Sequence, residues 1–238
     1  MKTEKITYQS GDKSFEGFLA QPEGDSNPCV LIAHTWAGRD AFVEEKAKLL
    51  TELGYAAFAI DMYGDGKIGT SNEENAGMMQ PLLDDREELA RRALASLDAV
   101  SKIDSIDASK IVIMGYCFGG LVAMDLARTG ADIKGAVSFH GFLAGPENST
   151  NEIKAKLLAL HGDSDPMVGQ DQIESFRKEI RGEIERGDVI NFLLKNENFP
   201  RSIYRCLSIT EKSLTFLPNN ANVLEVVKKL NTRLYSAK

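Results

Sequence analysis

Histidine and cysteine are scarce in this chain, three of each among 238 residues, so a site that needs them has few candidates. Three cysteines at this length do not build a disulfide framework. A basic surplus is missing too. Lysine and arginine number 28 against 35 acidic residues, a formal charge of −7, which argues against nucleic acid or an anionic membrane surface as a partner. No apolar run approaches the roughly 18 residues of a membrane-spanning helix. The opening MKTEKITYQS lacks the apolar stretch of a signal peptide, so a cytoplasmic location is expected. Repeats, low-complexity stretches and linkers are also wanting, and a single domain over 1–238 is the expectation. What is there, 43% hydrophobic and 26% charged, is the composition of an ordinary globular domain.

The hydrophobic pattern changes period along the chain. Residues 5–22 alternate apolar and polar on either side of Ser10-Gly11-Asp12, the pattern of an antiparallel hairpin. From Cys29 onward come short unbroken apolar runs at 29–34, 55–60, 110–116, 133–139 and 156–162. These read as strands buried on both faces. Helical periods at 41–54, 84–103 and 120–131 lie between them. Such alternation predicts an α/β fold, a mostly parallel sheet with helices on both faces. The mixed charges of 84–102 read as a solvated helix face. Beyond Lys178 the strand–helix order is lost until a plausible closing helix at 221–235.

One motif carries chemistry. The strand ending at Tyr116 runs into Gly115-Tyr116-Cys117-Phe118-Gly119-Gly120, and a helical period follows at once. This is the glycine-x-nucleophile-x-glycine turn in its strand–turn–helix setting, with cysteine as the nucleophile. Small residues are needed two positions either side because strand and helix nearly collide there. At the positive end of a helix, Cys117 is expected to favour thiolate over thiol. The N–H of Phe118 would supply half of an oxyanion hole. A phosphate-binding loop fits less well, since no Lys-Ser/Thr pair follows the glycines. Cys29 and Cys206 have only packing roles in view. A thiol-redox role ranks low, because neither is placed as a resolving partner.

An elbow nucleophile needs an acid and a base at the carboxyl ends of other strands. The segment His161-Gly162-Asp163-Ser164-Asp165-Pro166 closes a strand and offers two acids. Asp165 is preferred over Asp163 because the following proline stiffens its loop. Together these stretches, with Leu31 to Gly38 and Asp61-Met62-Tyr63-Gly64, resemble the dienelactone hydrolase family of α/β-hydrolases, from about Thr7 to about Lys178. The resemblance implies an α/β-hydrolase fold and hydrolysis of a small ester or lactone through an acyl-enzyme, without metal or cofactor, in a monomer or homodimer. By the same resemblance Cys117 is the nucleophile, Asp165 the triad acid, and Trp36 the second oxyanion donor.

Three departures stand beside it. Thr35 occupies the position where well-known members carry a glutamate that contacts the resting thiol. Arginines that would hold a dienelactone carboxylate are not found, which points away from that substrate. The third departure is larger: the family's histidine follows the acid, and no histidine occurs from Gly162 to Lys238. His34, His140 and His161 all fall at carboxyl ends of predicted strands, where each is expected to shape the site floor by hydrogen bonding. His140 is the first to consider as a recruited base. The alternatives are a catalytically impaired relative with a binding role, or a tail displaced by a late frameshift, since Phe199 to Tyr204 read one base out of frame can encode a His-x-x-Phe-Thr string.

Overall fold

Alternation along each apolar run decides the architecture. In the run at 29–34, Leu31 joins one hydrophobic core cluster while Val30 and Ile32 join a second, so the strand is buried on both faces. The computed structural model describes residues 1–146, 152–162, 165, 167–180 and 189–194. In it an antiparallel hairpin, β1 (Lys2–Ser10) and β2 (Lys13–Gln21), turns at Gly11 with a φ of +58°. Then follow β3 (Asn27–Ala33), α1 (Ala41–Thr51), β4 (Ala56–Ala59), α2 (Asn72–Asp84), α3 (Arg86–Ser101) and β5 (Ile106–Tyr116). The chain continues through α4 (Phe118–Arg128), β6 (Gly135–Phe139), β7 (Lys156–Gly162), α5 (Gln170–Glu179) and β8 (Val189–Leu194).

The strands form one sheet in the order β1-β2-β4-β3-β5-β6-β7-β8. The pairs β1–β2 and β2–β4 are antiparallel, and every later pair is parallel. The carboxyl ends of β3, β5, β6 and β7 therefore come out along one edge, where an open α/β sheet forms its site. The fold is that of an α/β-hydrolase. Among the described residues no helix is long and apolar enough to cross a membrane.

Three expectations are corrected here. The segment 64–83, left without an element by periodicity, contains α2, in which only Asn75 and Leu82 are buried. So little burial leaves little periodic signal. Its start is nonetheless written in Ser71-x-x-Glu74, where the Ser71 hydroxyl caps the helix by accepting the Glu74 N–H at 3.2 Å and the Glu74 carboxylate reaches back to the Thr70 N–H at 2.8 Å. Order also persists past Lys178 in α5 and β8. Finally, α3 is not simply a solvated face. Arg92 is buried and donates to the Met62 carbonyl at 2.7 Å. Arg86 forms a two-pronged pair with the buried Asp125 of α4 at 2.6 and 2.7 Å. Cys206, Asp163, the expected helix at 221–235 and the out-of-frame string all lie outside the described residues.

Candidate active site

At the end of β5 the backbone is strained in the way the elbow requires. Cys117 has φ +55° and ψ −117°, a conformation side-chain-bearing residues rarely adopt. Such strain costs about 1–3 kcal/mol and clusters at functional sites. It persists because the glycines let strand and helix close on each other. A Cβ on Gly115 would overlap the Gly119 carbonyl, and one on Gly119 would overlap the carbonyl oxygens of Ala33 and His34. A Cβ on Gly120 would run into Ser138 and Gly141 on the neighbouring strand and its loop. The Cys117 N–H donates to Phe139 of β6 at 2.9 Å, and its carbonyl accepts from Gly120 at 2.9 Å. Cys117 is thus hung between two strands and a helix.

The thiol does not follow the expectation of a lowered pKa. Burial pushes it up, the Phe118 N–H directed at its sulfur draws it down, and the charge of Asp165 raises it again. The net direction is upward. The helix-end argument was local, whereas burial and the Asp165 carboxylate arrive from elsewhere in the chain. Burial and the Asp165 carboxylate thus favour the thiol over the thiolate at Cys117.

The two strands beyond β5 bring one histidine onto the acid. His140 follows Phe139 at the end of β6, with φ +59°, and its N–H donates to Leu160 of β7 at 3.0 Å. Tyr116 and Phe139 are paired in the ladder, so the next residues along, Cys117 and His140, end neighbouring strands. His140 Nδ1 is hydrogen-bonded to Asp165 Oδ2. The other carboxylate oxygen of Asp165 accepts the Met167 N–H at 2.9 Å, and its side chain is fully buried. With Nδ1–H donated to a carboxylate, the ring's Nε2 is left as its basic nitrogen. The His140 side chain is 28% exposed, within reach of a ligand at the strand ends. His161 is buried beneath it, rings 6.4 Å apart and nearly parallel, with Nε2 3.8 Å from Asp165 Oδ2.

His34 has a different office. Its Nδ1 meets the Thr35 carbonyl at 2.6 Å and its Nε2 accepts the Met62 N–H at 3.1 Å. That pattern is a neutral ring with both nitrogens engaged, and burial holds its pKa below the ordinary value. It shapes the site floor, as expected, and is not available as a base. Trp36 lies in the loop after β3, partly buried against the core, where its carbonyl accepts the Tyr63 hydroxyl at 2.8 Å. Phe118 begins α4 with its ring stacked on Tyr63 at 5.8 Å. The loop after His140 is tethered by guanidinium groups: Arg128 donates to the Leu143 carbonyl at 2.8 Å and Arg86 to that of Ala144 at 3.0 Å. Among the described residues no cluster of side chains suits a metal ion.

The structure thus gathers Cys117, Phe118, His140, His161 and Asp165 at one edge and sets His34 below them as support. Sequence reasoning missed Tyr63 as a part of this assembly. Its signal was present in the Asp61-Met62-Tyr63-Gly64 stretch, but not what its hydroxyl would touch.

Comparison with known proteins bears on the family and the fold. The sequence model of the dienelactone hydrolase family matches residues 15–192. A second model, described as a predicted alpha-helical domain with a conserved ER motif, matches residues 170–238, so the tail that departs from the first family is similar to another. A carboxymethylenebutenolidase of Pseudomonas putida is 27% identical over 182 residues, spanning 71% of this chain and 74% of that protein. The crystal structure of a dienelactone hydrolase-like promiscuous phosphotriesterase from metagenomic libraries superposes with a TM-score of 0.76 at 32% identity, covering 82% of each chain. That of a dienelactone hydrolase from Anabaena variabilis shares the fold, with a TM-score of 0.61 at 16% identity over 97% of this chain and 95% of that one.

Proposed function

This chain belongs to the dienelactone hydrolase family, and we propose that it hydrolyses a small ester or lactone through a thioester on Cys117, with His140 as base and Asp165 orienting it. The observation that carries this reading is the hydrogen bond from His140 Nδ1 to the buried Asp165 carboxylate, on the strand end beside the nucleophile. In the family pattern the base follows the acid. Here it precedes it by 165 − 140 = 25 residues, and the proposed roles are those of a nucleophile, base and orienting acid.

The steps follow from the protonated thiol. His140 Nε2 takes the thiol proton as Cys117 Sγ bonds to the substrate's carbonyl carbon. The carbonyl oxygen becomes an anion facing the N–H of Phe118 and, from the loop after β3, that of Trp36. Collapse re-forms the carbonyl and breaks the bond to the leaving oxygen, which receives the proton from His140. Water, deprotonated by the same nitrogen, then attacks the thioester, and Cys117 leaves as the thiol. The route uses neither metal nor cofactor, and its partner is a small molecule.

Hydrolysis of p-nitrophenyl acetate tests it. Cys117→Ala is expected to reduce the rate to that of the uncatalysed reaction. A wild-type sample quenched during turnover is expected to carry one acetyl group on the peptide containing Cys117 by mass spectrometry. Unchanged hydrolysis by Cys117→Ala would remove the assignment. A second reading, a relative that binds but scarcely turns over, is favoured by the upward direction of the thiol pKa. It predicts binding of the ester without acetylation.

A further inference from the structure

The turn after β4 is held more firmly than a surface turn requires. One carboxylate of Asp61 accepts four backbone N–H groups: Tyr63 and Gly64 at 2.9 Å on Oδ1, and Gly66 at 2.9 Å and Glu16 at 3.1 Å on Oδ2. The Tyr8 hydroxyl donates to the Asp61 carbonyl at 2.9 Å and accepts its N–H at 3.1 Å. Met62 is fixed at both ends, its N–H by His34 and its carbonyl by Arg92. All this rigidity aims a single side chain. The Tyr63 ring lies against His34 at 4.8 Å and stacks on Phe118 at 5.8 Å, 19° from parallel. Its hydroxyl donates to the Trp36 carbonyl.

We propose that Tyr63 is a positioning residue for the oxyanion site, tying the Trp36 backbone to the Phe118 ring at the elbow. The inference rests on Cys117 attacking a carbonyl at this elbow. Donors stabilise a developing oxyanion only when they are aimed before the charge appears. Phe118 is aimed by α4. Residues 34–40 belong to neither helix nor a named strand, so Trp36 takes its orientation from a local turn and from contacts with side chains and neighbouring loops. The Gly38 N–H closes the turn onto the Thr35 carbonyl at 3.3 Å, the Gly69 N–H donates to the Ala37 carbonyl at 2.8 Å, Thr35 Oγ1 accepts the Ala37 N–H at 3.4 Å, and Tyr63 holds the Trp36 carbonyl itself. Of these four, the Tyr63 contact also reaches the second donor residue, through the Phe118 ring.

The hydroxyl takes no proton in the reaction. Its hydrogen is committed to Trp36, and burial pushes its pKa well up, which keeps it a donor. Its effect is on where the donors point.

Tyr63→Phe removes one oxygen and keeps the ring between His34 and Phe118. Two reactions of Cys117 separate positioning from other roles. Acylation by p-nitrophenyl acetate passes through an oxyanion, while alkylation by iodoacetamide does not. Tyr63→Phe is expected to slow acylation and lower kcat roughly tenfold with KM near the wild-type value, less than the about 10²–10³-fold loss of a whole oxyanion donor. Alkylation is expected to stay within about twofold of wild type. Equal slowing of both reactions would place Tyr63 on the thiol and overturn the inference, as would no change in either. Cys117→Ala separates the two layers: if it hydrolyses the ester like wild type, the elbow chemistry fails. If it is inactive while Tyr63→Phe acylates normally, the positioning role alone fails.

Discussion

On one side of Cys117 the groups that would meet an oxyanion are fixed through backbone, while on the other the proposed acid and base, Asp165 and His140, meet through their side chains. Phe118 is set by α4, and the Trp36 loop by Tyr63, Gly69 and the Asp61 turn, most of them bonds to main-chain N–H or carbonyl groups. His140 and Asp165 are joined by one side-chain hydrogen bond between two strand ends. The difference teaches which half of such a site is tied to folding. A backbone-built half shares its bonds with the sheet and cannot be altered without disturbing it. A half built from side chains can have its members moved along the sequence at small cost to the fold, and the proposed base His140 is where the reading departs from the family's order.

The largest effect expected is at the backbone-built half. Gly119→Ala places a methyl group inside the carbonyls of Ala33 and His34. Relief requires α4 to move off the sheet, so a loss of about 3 kcal/mol or more is expected, at the upper end of overpacking costs. Denaturant unfolding measures it, and a wild-type midpoint would break the comparison. On the other side His140→Ala is expected to lower kcat by about 10²–10⁴-fold, the usual range for general-base assistance. The fold should hold to within about 1 kcal/mol, as for a part-exposed side chain. Iodoacetamide alkylation should still proceed, its rate rising with pH to a midpoint above that of an ordinary thiol, because burial and Asp165 disfavour the thiolate. If kcat is untouched, the base is elsewhere.

The smallest effect sharpens the contrast through pH. Burial keeps His34 neutral below the pH at which an unfolded histidine gains its proton. Below about pH 6.5 the unfolded chain therefore binds more protons than the folded one, and stability falls as pH falls, by at most about 1.4 kcal/mol per pH unit for this one group. His34→Gln keeps a donor and an acceptor for Thr35 and Met62 and does not titrate. Its melting temperature between pH 7 and pH 5 is expected to decline less than that of wild type. An identical decline would show that His34 is not the acid-sensitive support of the backbone-built half.

Much of the backbone-built half was legible in the sequence, because its signals are local. Apolar runs of strand length, a glycine two residues either side of Cys117 and a helical period immediately after it need no knowledge of distant contacts. What escaped was set by distance along the chain. The Tyr63 hydroxyl meets a carbonyl 63 − 36 = 27 residues earlier, and nothing around Tyr63 announces it. His140 could be named as a candidate from its strand end, but its bond to Asp165 depends on β6 and β7 lying side by side. The thiol's direction failed for the same reason: helix position is local, whereas burial and a carboxylate from β7's loop are not. Helices α2 and α5 escaped because each buries only two side chains, too few to mark a period.

The pairing of Tyr116 with Phe139 has one more consequence. Cys117 and His140, the proposed nucleophile and base, ride a single strand–helix–strand unit, β5–α4–β6, each one residue past the last rung of one parallel ladder. Rungs have a fixed width of about 4.8 Å between strands, so this spacing is inherited from the sheet itself. A tail of different ancestry beyond β7 would leave that rung as it is, and a chain that exchanged its last quarter could keep its reacting pair intact.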